Sequence, residues 1–467
     1  MTTHTGPLFD PWLCWQAHQQ TGLASIDPLG TGRWLRERRL DQLLSHALCE
    51  SPVYARRAGN ARVLADLEPI SKQELMQEFD AWCTDRRITR SGAEAVIASP
   101  ARWADAWLDR YLVWTSSGTS GHPGIFIQDP ASLAAFDAIE AQRLRGASLA
   151  QPSLGLWGLG RRFAYVGAIG GPYAGHVNLL RLRHLISPLW GPHVHLVSVL
   201  EPLSQIAKRL QDMQPEVLIT YPSCATELAS WQTQGALDLQ LAELWLGGEQ
   251  LSARQRLTLK DAFDCPLRNS YGASEFYSMA FECAHGRLHL NDDWVILEGI
   301  DAQGRAVAAG EFSSTTLLTN LANHVQPLLR YELKDRIRFV PEPCPCGCAF
   351  PVIEVQGRSD DVLRLPAVDG GTVALLPLAL ETAIEEATGV THFQLLRRPD
   401  DALELRLPAE AGDTQAAFVR CRKALQAFLV VHGAKRQRIV HGHTEPLREK
   451  GSGKLRRIVD LGSSDPR

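Results

Sequence analysis

Two stretches of this chain gather residues that do chemistry. The first is "TSSGTSGHPG", Thr115 to Gly124. Gly118, Gly121 and Gly124 remove side chains there, and Thr115, Ser116, Ser117, Thr119 and Ser120 offer hydroxyls. Glycines let backbone N–H groups converge on an anion, and hydroxyls add further donors. Strand-like runs flank the stretch, Tyr111 to Trp114 and Ile125 to Ile127, so it reads either as a phosphate cradle or as an ordinary Gly-rich hairpin tip. It lacks the G-x-x-x-x-G-K-[ST] spacing of a Walker loop, so a nucleotide would be held differently. The second group is one of soft metal ligands. "CAHGRLH" supplies Cys283, His285 and His289, and about sixty residues later "PCPCGCAF" supplies Cys344, Cys346 and Cys348. Zn2+ takes four nitrogen or sulfur ligands, typically from two short knuckles. In a reducing compartment this spacing points to a metal rather than to disulfides.

The elements that must position these groups belong to a large globular chain. Its 467 residues suggest two or three domains, and 45% apolar with 21% charged residues can bury a sizeable core. A net charge of −4 leaves no global basic field for nucleic acid. No apolar run is long enough to span a bilayer, and "MTTHTGPLFDPW" lacks a signal layout, so the expected compartment is the cytoplasm. The six scattered cysteines, Cys14, Cys49, Cys83, Cys224, Cys265 and Cys421, read mostly as small core residues. Arginine outnumbers lysine 40 to 8, so each lysine is informative, and two of them, Lys450 and Lys454, share the glycine-bearing stretch "EKGSGKLRR".

Local patterns give the architecture. "WLRERRLDQLLSHAL" reads as a helix, and so does "SKQELMQEFDAW" over 71–82, with a Ser cap followed by Glu74. "DPASLAAFDAIEAQRLRGA" predicts a long helix started by Asp129. Strand and helix then alternate: "SLGLWGLG" with "NLLRLRHLI", "HVHLVSV" with "PLSQIAKRLQDM", "EVLITYP" with "SCATELASWQ", and "LAELWLGGEQ" with "SARQRLTLKDAF". Such alternation implies a mostly parallel sheet covered on both faces. From about residue 285 the texture is β-rich, and the tail after "QGRSDD" reads as a small separate α+β lobe.

Four stretches, in order and at these separations, carry a family resemblance. They are "TSSGTSGHPG", "NSYGASE", "LLRYELKDRIRF" with "QGRSDD", and "EKGSGKLRRIVD". Together they resemble the adenylate-forming superfamily of acyl-CoA synthetases, peptide-synthetase adenylation domains and luciferase. "SPVYARR", "RYELKD" before "PCPCG", and "GRSDD" point to its phenylacetate–coenzyme A ligase branch. The resemblance implies that Thr115, Ser116, Ser117, Gly118, Thr119, Ser120 and Gly121 cradle the β- and γ-phosphates of ATP. The family usually has lysine where this chain has His122, so a fixed positive charge is missing from the loop. By the same resemblance, Tyr271 stacks on adenine beside Gly272, Ser274 meets phosphate, and Glu275 holds Mg2+, a hard cation suited to carboxylate. Gly248 and Glu249 pass their backbone across adenine, and Asp335 and Arg358 reach the ribose. Lys454 is the catalytic lysine that bridges the substrate carboxylate and the α-phosphate. Some members of this branch carry a C…H…C-x-C zinc site, a pattern that selects Cys283, His289, Cys344 and Cys346, with Cys348 as an alternative ligand.

The implied protein is a two-lobed α/β ligase that activates an aryl or arylacetic acid with ATP and Mg2+ and passes the acyl group to a thiol, by family default coenzyme A. Its expected limits are 1–357 for the N-terminal part, including a helical extension over 1–50 and a β-rich zinc-bearing segment over 283–350. A hinge over 358–361 about Asp360 follows, then a lid over 362–467. "RRFAYVGAIGGPYAGH" falls where the branch places a Gly-rich wall, with Phe163, Tyr165, Tyr173, Phe276 and Tyr277 as lining or core. After "GRSDD" the branch usually runs R-G-V-N-V-F-P, but here the chain reads "VLRLPAVDGGTVALLPLALE". A carrier-protein thiol, an amine or a phenolic cofactor therefore stands beside coenzyme A as acceptor. A homodimer is left open, and a catalytically inactive binding module is the rival of another class.

Overall fold

The structure, a computed structural model, describes residues 8–358 except 60–61, 117–123, 145–160, 186–192, 199–200 and 202, and then 363–375, 380, 384, 387–388, 390, 393–408, 414–447 and 456–461. Helices α1 (Pro11–Ile26) and α2 (Arg33–Glu50) form a hairpin, followed by α3 (Pro52–Ala58), α4 (Lys72–Gln77), α5 (Phe79–Trp82) and α6 (Arg90–Ile97). Asp10 starts α1 by accepting the N–H groups of Trp12 and Leu13 at 2.9 and 3.1 Å, with Pro11 in the first turn. The helix expected over 71–82 starts as predicted, with Ser71 and Glu74 capping reciprocally, but it breaks at Glu78 (φ −108°, ψ 30°). The break buries both Phe79 and Trp82, and the Trp82 indole donates to the Pro327 carbonyl at 2.6 Å. That tertiary contact outweighs helical continuity.

Strands β1 (Leu112–Thr115) and β2 (Ile125–Gln128) pair antiparallel around the Gly/Ser loop, with Thr115 opposite Ile125. Helix α7 (Pro130–Ile139) follows, capped by Asp129 through the Ser132 N–H at 2.8 Å. The alternating region builds β3 (Phe163–Gly167), α8 (Ala174–Leu185), β4 (Val194–Ser198), α9 (Leu203–Met213), β5 (Val217–Thr220), α10 (Pro222–Thr233), β6 (Glu243–Leu246), α11 (Ala253–Phe263) and β7 (Leu267–Tyr271). The strand preceding α8 is Phe163–Gly167, which sequence had read as a wall, and "SLGLWGLG" lies outside the described residues.

Strands β8 (Ala280–Glu282), β9 (Leu288–Leu290), β10 (Val295–Ile300), β11 (Thr315–Asn320), β12 (Tyr331–Glu332), β13 (Asp335–Val340) and β14 (Val352–Arg358) make up the β-rich segment. It is not set apart from what precedes it. A nine-stranded sheet runs β13-β14-β9-β8-β7-β6-β5-β3-β4, parallel from β4 to β7 and antiparallel beyond, while β10-β11-β12 form a second sheet. After residue 362 come the hairpin β15 (Leu363–Pro366) and β16 (Thr372–Leu375), then β17 (Gln394–Arg397), β18 (Leu403–Arg406), the helix Thr414–Val431, β19 (Ile439–His441) and β20 (Ile458–Asp460). The last four strands form a sheet in the order β19-β18-β17-β20. A buried cluster from Leu363 to Ile458, including Leu395, Leu405, Phe418 and Leu425, packs this region.

The N-terminal hairpin is fastened to the main body by buried charge. Arg39 donates to the Asp293 carbonyl at 2.6 Å and lies 3.2 Å over the Trp294 ring. Arg143 donates to Asp293 Oδ1 at 2.7 Å and Asn291 Oδ1 at 2.8 Å, and the Trp294 indole donates to Thr21 at 2.9 Å. No helix among the described residues is long and apolar enough to cross a membrane.

Candidate active site and metal centre

Loops follow β6 and β7 at the carboxyl end of the parallel strands, where ligands bind in such sheets, and the loop after β1 of the antiparallel pair joins them. The Gly/Ser loop is closed at its neck: Ser116 N–H donates to the Gly124 carbonyl at 3.0 Å, and Gly124 N–H donates to Ser116 Oγ at 2.8 Å. Thr115 is anchored through its N–H to the Pro172 carbonyl at 2.7 Å. Ser117, Gly118, Thr119, Ser120 and Gly121 lie outside the described residues, as does Lys454.

The "YGASE" loop docks onto that neck. Trp114 donates its indole N–H to the Ser274 carbonyl at 2.8 Å, and Ser274 Oγ donates to the Thr115 carbonyl at 3.3 Å. The loop is folded tightly on itself, with Ala273 N–H to the Phe276 carbonyl at 2.9 Å and Met279 N–H to the Tyr271 carbonyl at 2.8 Å. Gly272 is obligatory, because a Cβ there would fall 2.0 Å from the Tyr277 carbonyl oxygen. Glu275 is buried, with its backbone carbonyl held by the Asn320 side chain at 3.0 Å and its Oε1 accepting the Tyr331 hydroxyl at 2.8 Å.

Tyr271 donates its hydroxyl to Asp335 Oδ2 at 2.5 Å, and Asp335 is cross-strand partner to Arg358. Two positions expected at opposite ends of a nucleoside are thus tied directly to each other. Thr316 Oγ1 steadies Asp335 from behind, donating to its carbonyl at 2.7 Å. Gly248 turns the chain after β6 with φ +75°, and a Cβ on Gly247 would lie 3.3 Å from Ser270 Oγ, so this turn presses against β7. Sequence reasoning missed Tyr331. Its signal was its place four residues before Asp335 in the same "RYELKD" motif.

Behind this rim, Tyr165, Tyr221 and Tyr277 are enclosed, and burial pushes all three phenols above their ordinary range. Tyr165 folds over Gly167, where a Cβ would fall 2.3 Å from its ring, and Tyr221 accepts the Ala168 N–H at 3.2 Å. Phe276 belongs to the core, fully buried edge-to-face with Phe136 at 5.1 Å.

The second centre lies on the β8–β9 hairpin and the loop before β14. The ligand atoms of Cys283, His289, Cys344 and Cys346 all lie within 4.8 Å of one another. Cys283 and Cys344 sulfurs are 3.7 Å apart, and Cys346 Sγ is 3.3 Å from His289 Nε2. A tetrahedral Zn2+ with ordinary bond lengths separates two sulfurs by about 3.8 Å, so the donor set fits that ion. His289 Nδ1 sits 3.0 Å from the Phe350 carbonyl, which leaves Nε2 facing the sulfurs. Burial pulls His289 below its usual range, toward the neutral, ligating form. Cys348 is outside this set. Its N–H donates to Cys346 Sγ at 3.4 Å, a supporting contact, and His285 is exposed.

No family model matches the chain. Phenylacetate-coenzyme A ligase of Escherichia coli (strain K12) is 25% identical over 392 residues, which cover 80% of each chain. The chain is thus similar in sequence to phenylacetate–coenzyme A ligases over most of its length. It is also similar to Protein CapK of Staphylococcus aureus, 26% identical over 172 residues, though that match spans only 36% of CapK and 35% of this chain. Among solved structures, a 2-hydroxyisobutyryl-CoA ligase in the postadenylation state with 2-HIB-AMP superposes with a TM-score of 0.67. It is 19% identical, and the match covers 91% of this chain and 88% of that one. The chain therefore shares the fold of that acyl-CoA ligase.

Proposed function

We propose that this chain activates a carboxylic acid, aryl or arylacetic in class, with ATP and Mg2+ and transfers the acyl group to a thiol, by default coenzyme A. The observation that carries the reading is the joining of Thr115, Ser274, Glu275, Tyr271 and Asp335 on one rim by hydrogen bonds across separate loops. The names of its relatives support it: phenylacetate-coenzyme A ligase, and a CoA ligase bound to an acyl-AMP. In the first step a substrate carboxylate oxygen attacks the α-phosphorus, the bond to the β-phosphate breaks, and pyrophosphate leaves. In the second, a thiolate attacks the acyl carbon and AMP departs. Negative charge builds in both steps, so its neutralisation dominates the barrier.

Glu275 fits the cation-holding role, since no described residue engages its Oε2 while Tyr331 fixes Oε1. Mg2+ held there would neutralise phosphate charge. Asp335 would bind ribose, Arg358 would assist it, and Tyr271 would flank adenine while its hydroxyl orients Asp335. Gly248 and Glu249 would border the base. The neck of the Gly/Ser loop would present phosphate donors from residues 116–121, and Lys454 would bridge carboxylate and α-phosphate. Cys283, His289, Cys344 and Cys346 would hold a structural Zn2+, which contributes folding free energy. The site of action would be the cytoplasm.

A different acceptor is the second reading. Residues 363–375 form the β15–β16 hairpin, turned through Gly370 at φ +94°, in the stretch whose sequence departs from the R-G-V-N-V-F-P usual in this branch. A carrier-protein thiol, an amine or a phenol would then receive the acyl group or AMP. An inactive binding module has no need of this tied rim. The deciding experiment is acid-dependent exchange of labelled pyrophosphate into ATP over a panel of carboxylic acids, with and without coenzyme A. Exchange with an aryl or arylacetic acid, diverted to thioester when coenzyme A is added, is expected. Absence of exchange with every acid would overturn the reading.

A further inference from the structure

The N-terminal helical hairpin carries an exposed apolar face. All four exposed Phe and Trp side chains among the described residues, Phe9, Trp12, Trp15 and Trp34, lie on this hairpin or just ahead of it, with Leu23, Ile26 and Leu29. Helix α1 contains no Asp, Glu, Lys or Arg. Its inner face, Ala17, Thr21 and Ala24, is buried. A surface helix normally turns charged residues outward. Here the outward residues Trp12, Trp15, Leu23 and Ile26 are 61%, 54%, 53% and 83% exposed. At about 100° per residue these four fall within roughly 80° of one another, in a stripe about 21 Å long. The Trp12 and Trp15 indoles stack at 4.9 Å into one flat plate.

The stripe is complementary to itself. Its midpoint is Gln19, which is exposed; Trp12 and Trp15 precede it by seven and four residues, and Leu23 and Ile26 follow it by four and seven. A two-fold axis through Gln19, with the helices antiparallel, sets Trp12 against Ile26 of the partner subunit and Trp15 against Leu23 of the partner subunit. The two Gln19 amides then meet, and each offers both a donor and an acceptor. Three indoles, each a little over half exposed, present about 400 Å². Leu23, Ile26 and Leu29 bring the face toward the roughly 800 Å² per partner of a specific interface. An anionic lipid surface fits less well, because Asp10 and Asp27 stand at the two ends of α1 and Glu37 follows in α2.

We propose that two copies of this chain associate through the outer face of α1, as an antiparallel helix pair centred on Gln19. This association does not depend on the reaction assigned above. Sedimentation velocity of the full chain over a range of concentrations is expected to show a dimer, with a Kd of about 10 μM or below. Trp15→Glu and Leu23→Lys are each expected to weaken association by about a hundredfold or more with an unchanged circular dichroism spectrum. Val419→Glu, at an exposed apolar position outside this face, should leave it within about twofold. An equimolar mixture of the Trp15→Glu and Leu23→Lys chains should dimerise again, because in this register the new carboxylate faces the new ammonium and the second contact pair stays native. Wild type that stays monomeric at about 100 μM, or a dimer that survives both substitutions, would overturn the inference. So would a mixture that stays monomeric, which denies the register. Wild type that binds vesicles of phosphatidylcholine and phosphatidylglycerol without self-associating would give the face to a lipid surface and overturn it too.

Discussion

Tyr331 shows what a single hydroxyl can decide. It donates to Glu275 at 2.8 Å inside a buried setting, and a hydrogen bond to a charged group there is worth about 1.5–3 kcal/mol. Tyr331→Phe is expected to lower pyrophosphate exchange by about tenfold to a hundredfold and to raise the Mg2+ concentration needed for half-maximal rate, while the chain stays folded. An unchanged Mg2+ dependence would show that Glu275 does not need this partner. On the bridging role proposed for it, Lys454→Ala is expected to abolish adenylate formation while ATP still binds, since losing a transition-state contact lowers the rate more than ground-state binding. Exchange within about threefold of wild type would remove Lys454 from the mechanism. The residues of the site were legible to different degrees. Glu275 and Asp335 stand in short patterns that can be read off the chain. Tyr331 acts across 56 positions of sequence, and no local spacing encodes a contact that depends on the pairing of Ile70 with Tyr331.

At the scale of elements, the cysteine knuckles were legible because ligand type and spacing are themselves the signal. The role of Cys348 was not, because a thiol and its neighbour in a C-x-C-x-C run look alike until the backbone turn places one N–H against the other sulfur. The hairpin β8–β9 and the loop before β14 are joined here, and His289 leans on Phe350, whose ring lies 4.4 Å from the Arg143 guanidinium. About one equivalent of zinc per chain is expected by elemental analysis. Its removal with a chelator, or Cys344→Ser or Cys346→Ser, should lower the melting temperature by several degrees or more, because metal binding is folding free energy. Metal-free protein with both variants as heat-stable as wild type would dispose of the site. The broken helix at Glu78 illustrates the other limit: caps predicted where it starts, but the pull of Trp82 toward Pro327 decided where it stops.

For the whole molecule, alternating apolar and helical runs carried the parallel half of the large sheet. The antiparallel half was not legible, since its closure depends on β9 pairing with β14, His289 opposite Val352, far apart in sequence. We propose that residues after 362, which enclose a buried cluster of their own, move as a lid about Asp360 between the two half-reactions. Asp360→Pro, which fixes φ, is expected to spare adenylation more than thioester formation when both are measured on the same preparation. Equal loss of the two would argue against a pivot at this position. The charge cluster around Asp293 has a practical consequence for anyone cutting or fusing this protein. Arg39 and Thr21 cover Trp294 from the first two helices, and Leu43, Leu44 and Ala47 share the main apolar cluster. An affinity tag placed ahead of residue 8 leaves that lid of side chains in place. A boundary cut at residue 51, after the expected helical extension over 1–50, would strip the indole bare and yield a sticky, aggregation-prone body in place of a minimal enzyme.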